Sequence, residues 1–412
     1  METATNTRGR NHFTAAVIGA GPSGAWTAYR LARDGARVLL VDPSHPREKP
    51  CGGGITGRAL SIVSSAVALH DLPAVRVRSA RFLDSGGRAS AAVPLDAGRH
   101  HHRLIVASRA CFDGLLVAAA RRAGADVMTA RVTDVVRLNG AFRIDTADGR
   151  APTASFVVGA DGANSLVRRR FFRAFRRDQL ALATGFFAHG ATSDEIAIEL
   201  LTNPPGYIWS FPRPDHLAIG VCAQADAGVT AAALRARTAD WIRATGLGQG
   251  CRLEPYSWPI PSLSAADFDA LDPAGPGWML VGDAAGLVDP LTREGIFFAL
   301  QSAEYAAEAL AAAAPRPHRA FTHRVRSEIA DDLARGARFK DEFFRPRLTR
   351  LLMEALRRSE PIRRVMADLV AGTQSYRGLK CRLARTMELG LAWRVMGGFA
   401  EPRPPAIAQR DQ

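Results

Sequence analysis

Six residues near the amino end, Gly19-Ala20-Gly21-Pro22-Ser23-Gly24, leave few folds open, because they sit between a short apolar run, Phe13–Ile18, and a helix-like segment, Ala25–Asp34. Glycines at the first, third and sixth places of a strand-to-helix turn have distinct uses. The first permits the tight turn, the second lets a pyrophosphate approach the backbone, and the third lets the helix pack on the strand with its positive end toward the anion. A second apolar run, Arg37–Asp42, ends in an acid. A carboxylate there accepts a hydrogen bond from a ribose 2′-hydroxyl and repels a 2′-phosphate. Gly19, Ala20, Gly21, Pro22, Ser23, Gly24 and Asp42 are therefore expected to bind FAD or NAD and to exclude NADP.

Two further strand-like runs end in acids beside small residues: Phe156–Val158 leading to Gly159-Ala160-Asp161-Gly162, and Trp278–Val281 leading to Gly282-Asp283-Ala284-Ala285-Gly286. After the second, Pro290-Leu291-Thr292-Arg293-Glu294-Gly295-Ile296 opens a long Ala-rich segment that reads as a helix to about residue 314. A helix amino terminus beside Asp283 suits an anionic or ribityl contact and the edge of a flavin ring. The order of these motifs resembles the para-hydroxybenzoate hydroxylase-like flavoproteins. That resemblance implies an FAD whose adenylate lies on the first motif, Asp161 at the link between domains, and Gly282, Asp283, Gly295 and Ile296 along the ribityl and ring end. It also implies a cofactor contact for Arg109, in Ser108-Arg109-Ala110-Cys111-Phe112-Asp113, and a backbone contact of Val132 with adenine. No second G-x-G-x-x-G follows. Electrons are thus expected from transiently bound NAD(P)H or another external donor.

Lys49-Pro50-Cys51-Gly52-Gly53-Gly54-Ile55 joins a lone cysteine to three glycines. Without Cβ atoms such a loop can lie flat against a ring. Within the same superfamily it resembles the loop of geranylgeranyl reductases, and Tyr207-Ile208-Trp209-Ser210-Phe211-Pro212 resembles their Y-x-W-x-F-P strand. The resemblance implies a flavin-dependent reductase of isoprenoid C=C bonds, with Gly52 and Gly53 beside the cofactor and an apolar or lipid substrate. Saturating an alkene takes a hydride to one carbon and a proton to the other. An ordinary thiol, with a pKa of about 8.5, is mostly protonated at neutral pH, so Cys51 is the candidate proton donor. Tyr207, Trp209 and Phe211 alternate along a strand and share one face, the expected floor of the substrate cavity. One departure stands out: where the family pattern reads T-G-E-G-I, this chain has Arg293. A flavin monooxygenase or halogenase of the same fold, and a lipid- or quinone-binding flavoprotein without turnover, are the alternative readings.

With 412 residues, 47% apolar and 23% charged, the chain has room for two to three globular domains. The expected fold is α/β, α+β overall: a Rossmann-like FAD domain (13–74, 95–180 and 262–314), an antiparallel-sheet substrate domain (75–94 and 181–261) and C-terminal helices (315–412). Five scattered cysteines without C-x-x-C spacing exclude a disulfide framework and a zinc site, and no metal is expected. His100-His101-His102 reads as a solvated turn. Of the net charge of +14, +10 falls from Arg316 onward, where 21 Lys and Arg face 11 Asp and Glu. Basic amphipathic helices, Phe344–Arg358 and Gly378–Met396, suggest reversible contact with an anionic membrane surface. The mixed cations and aromatics of 168–177 read as an amphipathic helix with packed Phe side chains, so no nucleic-acid partner is expected. Without a run of 18 apolar residues or a secretory signal, the reading is cytoplasmic, peripheral to the inner face of the membrane.

Overall fold

The computed structural model describes residues 12–84, 90–95, 104–312 and 315–386. The glycine turn connects a buried strand, His12–Ile18, to a helix, Pro22–Arg33. The helix thus begins inside the motif, since proline is favoured at a first helical position, where its missing N–H costs nothing. His12–Ile18 lies between Val38–Asp42 and Thr153–Gly159, parallel to both, and Trp278–Leu280 extends the same parallel order. Its continuous apolar run is what a strand covered on both faces requires. The helix Pro22–Arg33 packs against Arg109–Arg122 and Ile296–Ala311. Glu304 of the latter pairs with Arg30 and accepts from Trp26 Nε1.

The second sheet has seven strands, in the order Arg252–Pro261, Leu180–His189, His216–Gln224, Pro205–Pro212, Glu195–Thr202, Ser79–Leu83, Ser90–Pro94. It is not wholly antiparallel: Ser79–Leu83 runs parallel to Glu195–Thr202, because the chain reaches that edge from the cofactor domain and not through a hairpin. The segment 75–94, expected in the substrate domain, is divided between two sheets. Ala74–Arg76 joins Leu104–Ala107 and Gly54–Thr56 in a separate three-stranded sheet, and only the part from Ser79 enters the large one. The helix Ala231–Thr245 covers one face, with Leu234, Trp241 and Ile242 packed on Ile208, Ile219 and Val221. The other face carries Ala183, Trp209 and Cys222, with Tyr207, Phe211 and Ile260 against them.

The C-terminal helices Asp331–Phe343, Pro346–Arg358 and Glu360–Val370 are more than a solvated appendage. Phe343, Met353, Leu356, Val365 and Met366 share one core with Phe82, Val93, Val106, Ile196 and Leu200. A final helix, Leu379–Arg385, covers only the start of the expected Gly378–Met396 element, whose remainder lies outside the described residues, as do His100, His101 and His102. The expected helix at 168–177 is shorter, Leu166–Phe171, and Arg168 instead turns inward to donate to the Ala284 carbonyl at 3.1 Å. The long Ala-rich helix starts at Ile296, after a loop. Among the described residues no helix is long and apolar enough to cross a membrane, and no group of three or more His, Cys, Asp or Glu side chains is placed to hold a metal.

Candidate active site

Both long helices that point at the sheet junction begin without help from a side chain. Pro22–Arg33 is preceded by Gly21 and Ile296–Ala311 by Gly295; neither has a capping side chain or an acid in its first turn. Free N–H groups at two such ends form a donor set for an anionic dinucleotide. The glycines fit the same purpose in different ways. A Cβ on Gly24 would lie 1.8 Å from the Gly19 carbonyl oxygen, and Gly19 itself has φ +100°, so these two close the turn. A Cβ on Gly21 would meet nothing nearer than His45 Nε2 at 3.8 Å, which leaves a cradle open above the turn. The residues present therefore fit FAD.

Asp42 anchors the turn more tightly than its predicted ribose contact requires. Its Oδ2 accepts from Ala20 N at 2.9 Å and lies 2.9 Å from His45 Nδ1, while Oδ1 accepts from Ser44 N and His45 N, each at 2.8 Å. Three backbone N–H groups thus donate to the carboxylate, with the His45 ring beside it, so a ribose hydroxyl would have to share this set of contacts. Burial alone would raise the Asp42 pKa, but His45 and these backbone donors hold it well below the usual carboxylate range. His45 also lies 3.5 Å from Asp113. Burial opposes its charge, yet Asp113 and Asp42 together raise its pKa above the ordinary imidazole value.

The thiol of Cys51 sits between two buried arginines. Arg109 Nη1 donates toward Sγ at 3.6 Å and Arg213 Nη2 at 3.9 Å; the latter also donates to the Cys51 carbonyl at 2.7 Å. Each arginine needs a counter-charge at this depth. Asp113 grips Arg109 through Nε at 2.9 Å and Nη2 at 2.8 Å. Desolvation would raise the Asp113 pKa, but the Arg109 charge and His45 keep its carboxyl below the usual range. Glu48 pairs with Arg213 and accepts from the Ser108 hydroxyl at 2.6 Å.

The glycines after Cys51 answer to the protein itself. Cβ atoms on Gly52 and Gly54 would each approach the Phe211 ring to 3.0 Å, and Gly53, at φ +80°, would place one 2.6 Å from the Ala107 carbonyl oxygen. The loop lies flat on Phe211 and is wedged by Arg213, and its other side is open to a cavity.

One continuous cavity joins these parts. Of the sequence-predicted residues, Gly21, Pro22, Ser23, Cys51, Gly52, Gly53, Arg109, Asp283, Gly295, Ile296, Tyr207, Trp209 and Phe211 line it. Gly19, Ala20, Gly24, Asp42, Val132, Asp161 and Gly282 stand outside that lining. Asp161 caps Leu166–Phe171 through Leu166 N at 2.6 Å, and Val132 starts an outer strand. Asp283 pairs with Lys49 at 3.3 Å. Tyr207 is held by a hydrogen bond from its hydroxyl to the Thr292 carbonyl, 3.0 Å, which ties the sheet to the loop before Gly295. The cavity crosses the sheet from Trp258 and Ile260, past Trp209, to Ile198, Leu200 and Phe82, and ends against Phe343, Met366 and Leu369. Sequence reasoning missed Glu48, Arg213 and this helical wall. The i, i+4 spacing of Arg109 and Asp113 was a visible signal, whereas Arg213 and Glu48 are brought together only by the fold.

The pattern of the family described as "FAD binding domain" matches residues 12–187. The chain is 30% identical to the menaquinone reductase of Mycolicibacterium smegmatis over 314 residues, 71% of this chain and 75% of that protein. It is also 30% identical to the digeranylgeranylglycerophospholipid reductase of Methanothrix thermoacetophila, covering 80% of this chain and 87% of the relative. In three dimensions it matches a geranylgeranyl bacteriochlorophyll reductase-like protein from Thermoplasma acidophilum with a TM-score of 0.74 at 21% identity, over 92% of this chain and 100% of that one. With the two uncapped helix ends, the thiol loop and the aromatic strand in place, the chain belongs to the geranylgeranyl reductase-like family of FAD-dependent oxidoreductases.

Proposed function

We propose that this oxidoreductase saturates C=C bonds of an isoprenoid substrate. The observation that carries the reading is the single cavity running from the Gly21 turn, past Cys51, onto the aromatic sheet face and into an apolar wall. FAD, when bound and reduced, supplies the hydride. The chain supplies the rest. Gly21, Pro22, Ser23, Asp283, Gly295 and Ile296 hold the cofactor, with Gly19, Ala20, Gly24, Asp42, Val132, Asp161 and Gly282 shaping its bed, and Gly52, Gly53 and Arg109 bordering its ring end. Tyr207, Trp209 and Phe211 seat the alkene and exclude water. Cys51 holds a proton at Sγ; as it leaves, Arg109 and Arg213 face the charge developing on sulfur, and charge-assisted contacts of this kind are the stronger class. The proposed division places the FAD domain at 13–74, 95–180 and 262–314, the substrate domain at 75–94 and 181–261, and a helical region at 315–412 that completes the substrate cavity. The electron donor in this reading is NAD(P)H bound transiently, or another external reductant.

A C20 lipid is worth roughly 16 kcal/mol of buried hydrocarbon at about 0.8 kcal/mol per carbon, so it does not leave a bilayer unaided. The basic C-terminal helices would bring the enzyme to the inner membrane surface at about 1 kcal/mol per engaged arginine. Sedimentation with anionic vesicles tests this part: binding is expected to fall with salt, and salt-independent binding refutes it. The main proposal is tested by reducing the holoprotein anaerobically with dithionite and following flavin reoxidation by prenyl substrates, with mass spectrometry for a gain of two hydrogens. Substrate-independent reoxidation, or an unchanged lipid mass, overturns it.

A further inference from the structure

The loop 289–295 ends at the uncapped start of Ile296–Ala311, and from Leu291 onward it lines the cavity. It contains Arg293, the only described non-glycine residue with a positive φ, 61°. A left-handed residue with a Cβ is strained and persists only where its surroundings over-determine it. Asp289 does this from inside the loop. Its Oδ1 accepts from Leu291 N and Thr292 N, each at 2.8 Å, its N–H donates to the Glu294 carbonyl at 2.9 Å, and its carbonyl accepts from Arg293 N at 3.1 Å.

A third donor to Asp289 Oδ1 comes from far along the chain: the Tyr376 hydroxyl, at 2.8 Å. Tyr376 is itself fixed on two sides. Its N–H and that of Arg377 donate to the Asp332 carboxylate at 3.0 and 2.8 Å, and its ring lies so near Gly336 that a Cβ there would meet it at 2.5 Å. Asp332 and Gly336 both belong to the helix Asp331–Phe343, whose last residue walls the cavity. Burial and the Asp289 charge push the Tyr376 phenol above its ordinary pKa, so it remains a donor. Gly372, close by in sequence, leaves room for the Arg58–Glu294 pair, since a Cβ there would lie 2.7 Å from Arg58 Nε and 2.9 Å from Glu294 Oε2. Leu291 shares the apolar core of the same C-terminal helices. The segment 372–376 thus meets the loop at both of its acids.

We propose that Tyr376 is a positioning residue of the flavin site: acting through Asp289, it fixes the loop that presents Gly295 and Ile296 to the cofactor. The inference rests on the assignment of Gly295 and Ile296 to FAD made above. The three donors to Asp289 Oδ1 differ in what they can hold. Leu291 N and Thr292 N travel with the loop and keep its curl, whereas the tyrosine ties that curl to the helices that wall the substrate cavity. Without the hydroxyl, the Asp289 end of the loop is released from those helices. The strained backbone at Arg293 can then relax and shift the helix start that meets the cofactor.

Tyr376→Phe removes one hydroxyl and keeps the ring on Gly336. In flavin-quenching titrations of the full chain it is expected to weaken FAD binding about ten-fold, the scale of one hydrogen bond to a buried carboxylate, and to shift the bound-flavin absorbance. Leu379→Ala is the control for stability. Leu379 is buried in the same core, so this variant should lower the thermal midpoint while FAD affinity stays within about two-fold of wild type. Arg293→Gly provides a readout that a merely structural tyrosine would not move. Glycine bears no strain at this φ, so in that background Tyr376→Phe should cost less than about two-fold in FAD affinity. Unchanged FAD affinity and flavin absorbance in Tyr376→Phe overturn the proposal. So does an equal loss of FAD affinity in Leu379→Ala, or an undiminished effect of Tyr376→Phe in the Arg293→Gly background. Failure of the reductase reading shows separately, as no reoxidation of reduced wild type by any prenyl compound while the FAD-binding effects remain.

Discussion

Replacing Gly21 with alanine separates the stability of the turn from its use. The residue has φ −67° and ψ −177°, extended backbone open to any side chain, and the nearest atom to an added Cβ is His45 Nε2 at 3.8 Å. In the protein without cofactor the new methyl strains nothing, and the lost freedom of the unfolded chain stabilises the fold by about 0.4–1 kcal/mol. With a pyrophosphate seated on the uncapped helix end the same methyl occupies its space, and overpacking of this kind costs about 1–3 kcal/mol. The expected result is two effects of opposite sign: a higher urea midpoint for the apoprotein, and FAD binding weakened roughly 5- to 150-fold in a flavin-quenching titration. Gly24→Ala serves as the contrast, because its Cβ would lie 1.8 Å from the Gly19 carbonyl oxygen and must destabilise the apoprotein as well. Unaltered FAD affinity in Gly21→Ala, or a lower apoprotein midpoint, would refute the placement of the pyrophosphate on this turn.

Three other perturbations, one of them with a control at Gly35, bear on the thiol loop and its support. Gly53→Ala combines a left-handed φ of +80° with a 2.6 Å approach to the Ala107 carbonyl oxygen, so a loss of roughly 2–5 kcal/mol is expected from strain and overlap together; Gly35→Ala, at φ +86° with open space around it, should lose only the strain, about 1–2 kcal/mol in urea melts. Cys51→Ala should lower turnover by about 10²–10⁴ while the bound-flavin spectrum stays as it was, and undiminished turnover would remove the thiol from the mechanism. His45 has a folded pKa raised by its acidic neighbours, so its contribution is fully present below the unfolded value of about 6.5 and fades as pH rises through the folded one. The thermal midpoint deficit of His45→Gln should therefore be largest near pH 6 and shrink toward alkaline pH; a deficit that grows with pH contradicts the assignment.

The parts of the fold that were legible in the sequence are those whose signal is local. The Gly19–Gly24 turn, the strand ending at Asp42 and the aromatic strand from Tyr207 each state their structure within a dozen residues, by period and by glycine placement. The parallel pairing of Ser79–Leu83 with Glu195–Thr202 carries no such signal, because its partner lies more than a hundred residues on and either hydrogen-bonding direction suits the same alternating pattern. The C-terminal helices fall between. Their apolar positions, among them Met353, Leu356, Val365, Met366 and Leu369, recur at helical spacing, so an amphipathic character was visible. That their apolar side completes a protein core was not, since a basic amphipathic helix suits a membrane surface as well as a sheet edge.

The site shows the same division, with a physical reason behind it. Cys51 and Arg109 each announced themselves by neighbouring motifs, but what joins them is a row of charges that only the fold assembles: Asp42 to His45, His45 to Asp113, Asp113 to Arg109, then across the Cys51 sulfur to Arg213 and Glu48. Alternation along this row follows from burial. Arg109, Asp113 and Arg213 are almost wholly withdrawn from water, and an ion at that depth is tolerated only when an opposite charge and hydrogen bonds replace its hydration. Each buried arginine beside the thiol therefore demanded an acid, and one of those acids reached back through His45 to the residue that shapes the nucleotide turn. The support of the Cys51 sulfur and that of the cofactor's adenosine end thus share one electrostatic network. In the same cavity Arg293 stands apart, held in a strained conformation by a loop of hydrogen bonds and lacking any acid of its own among the described residues.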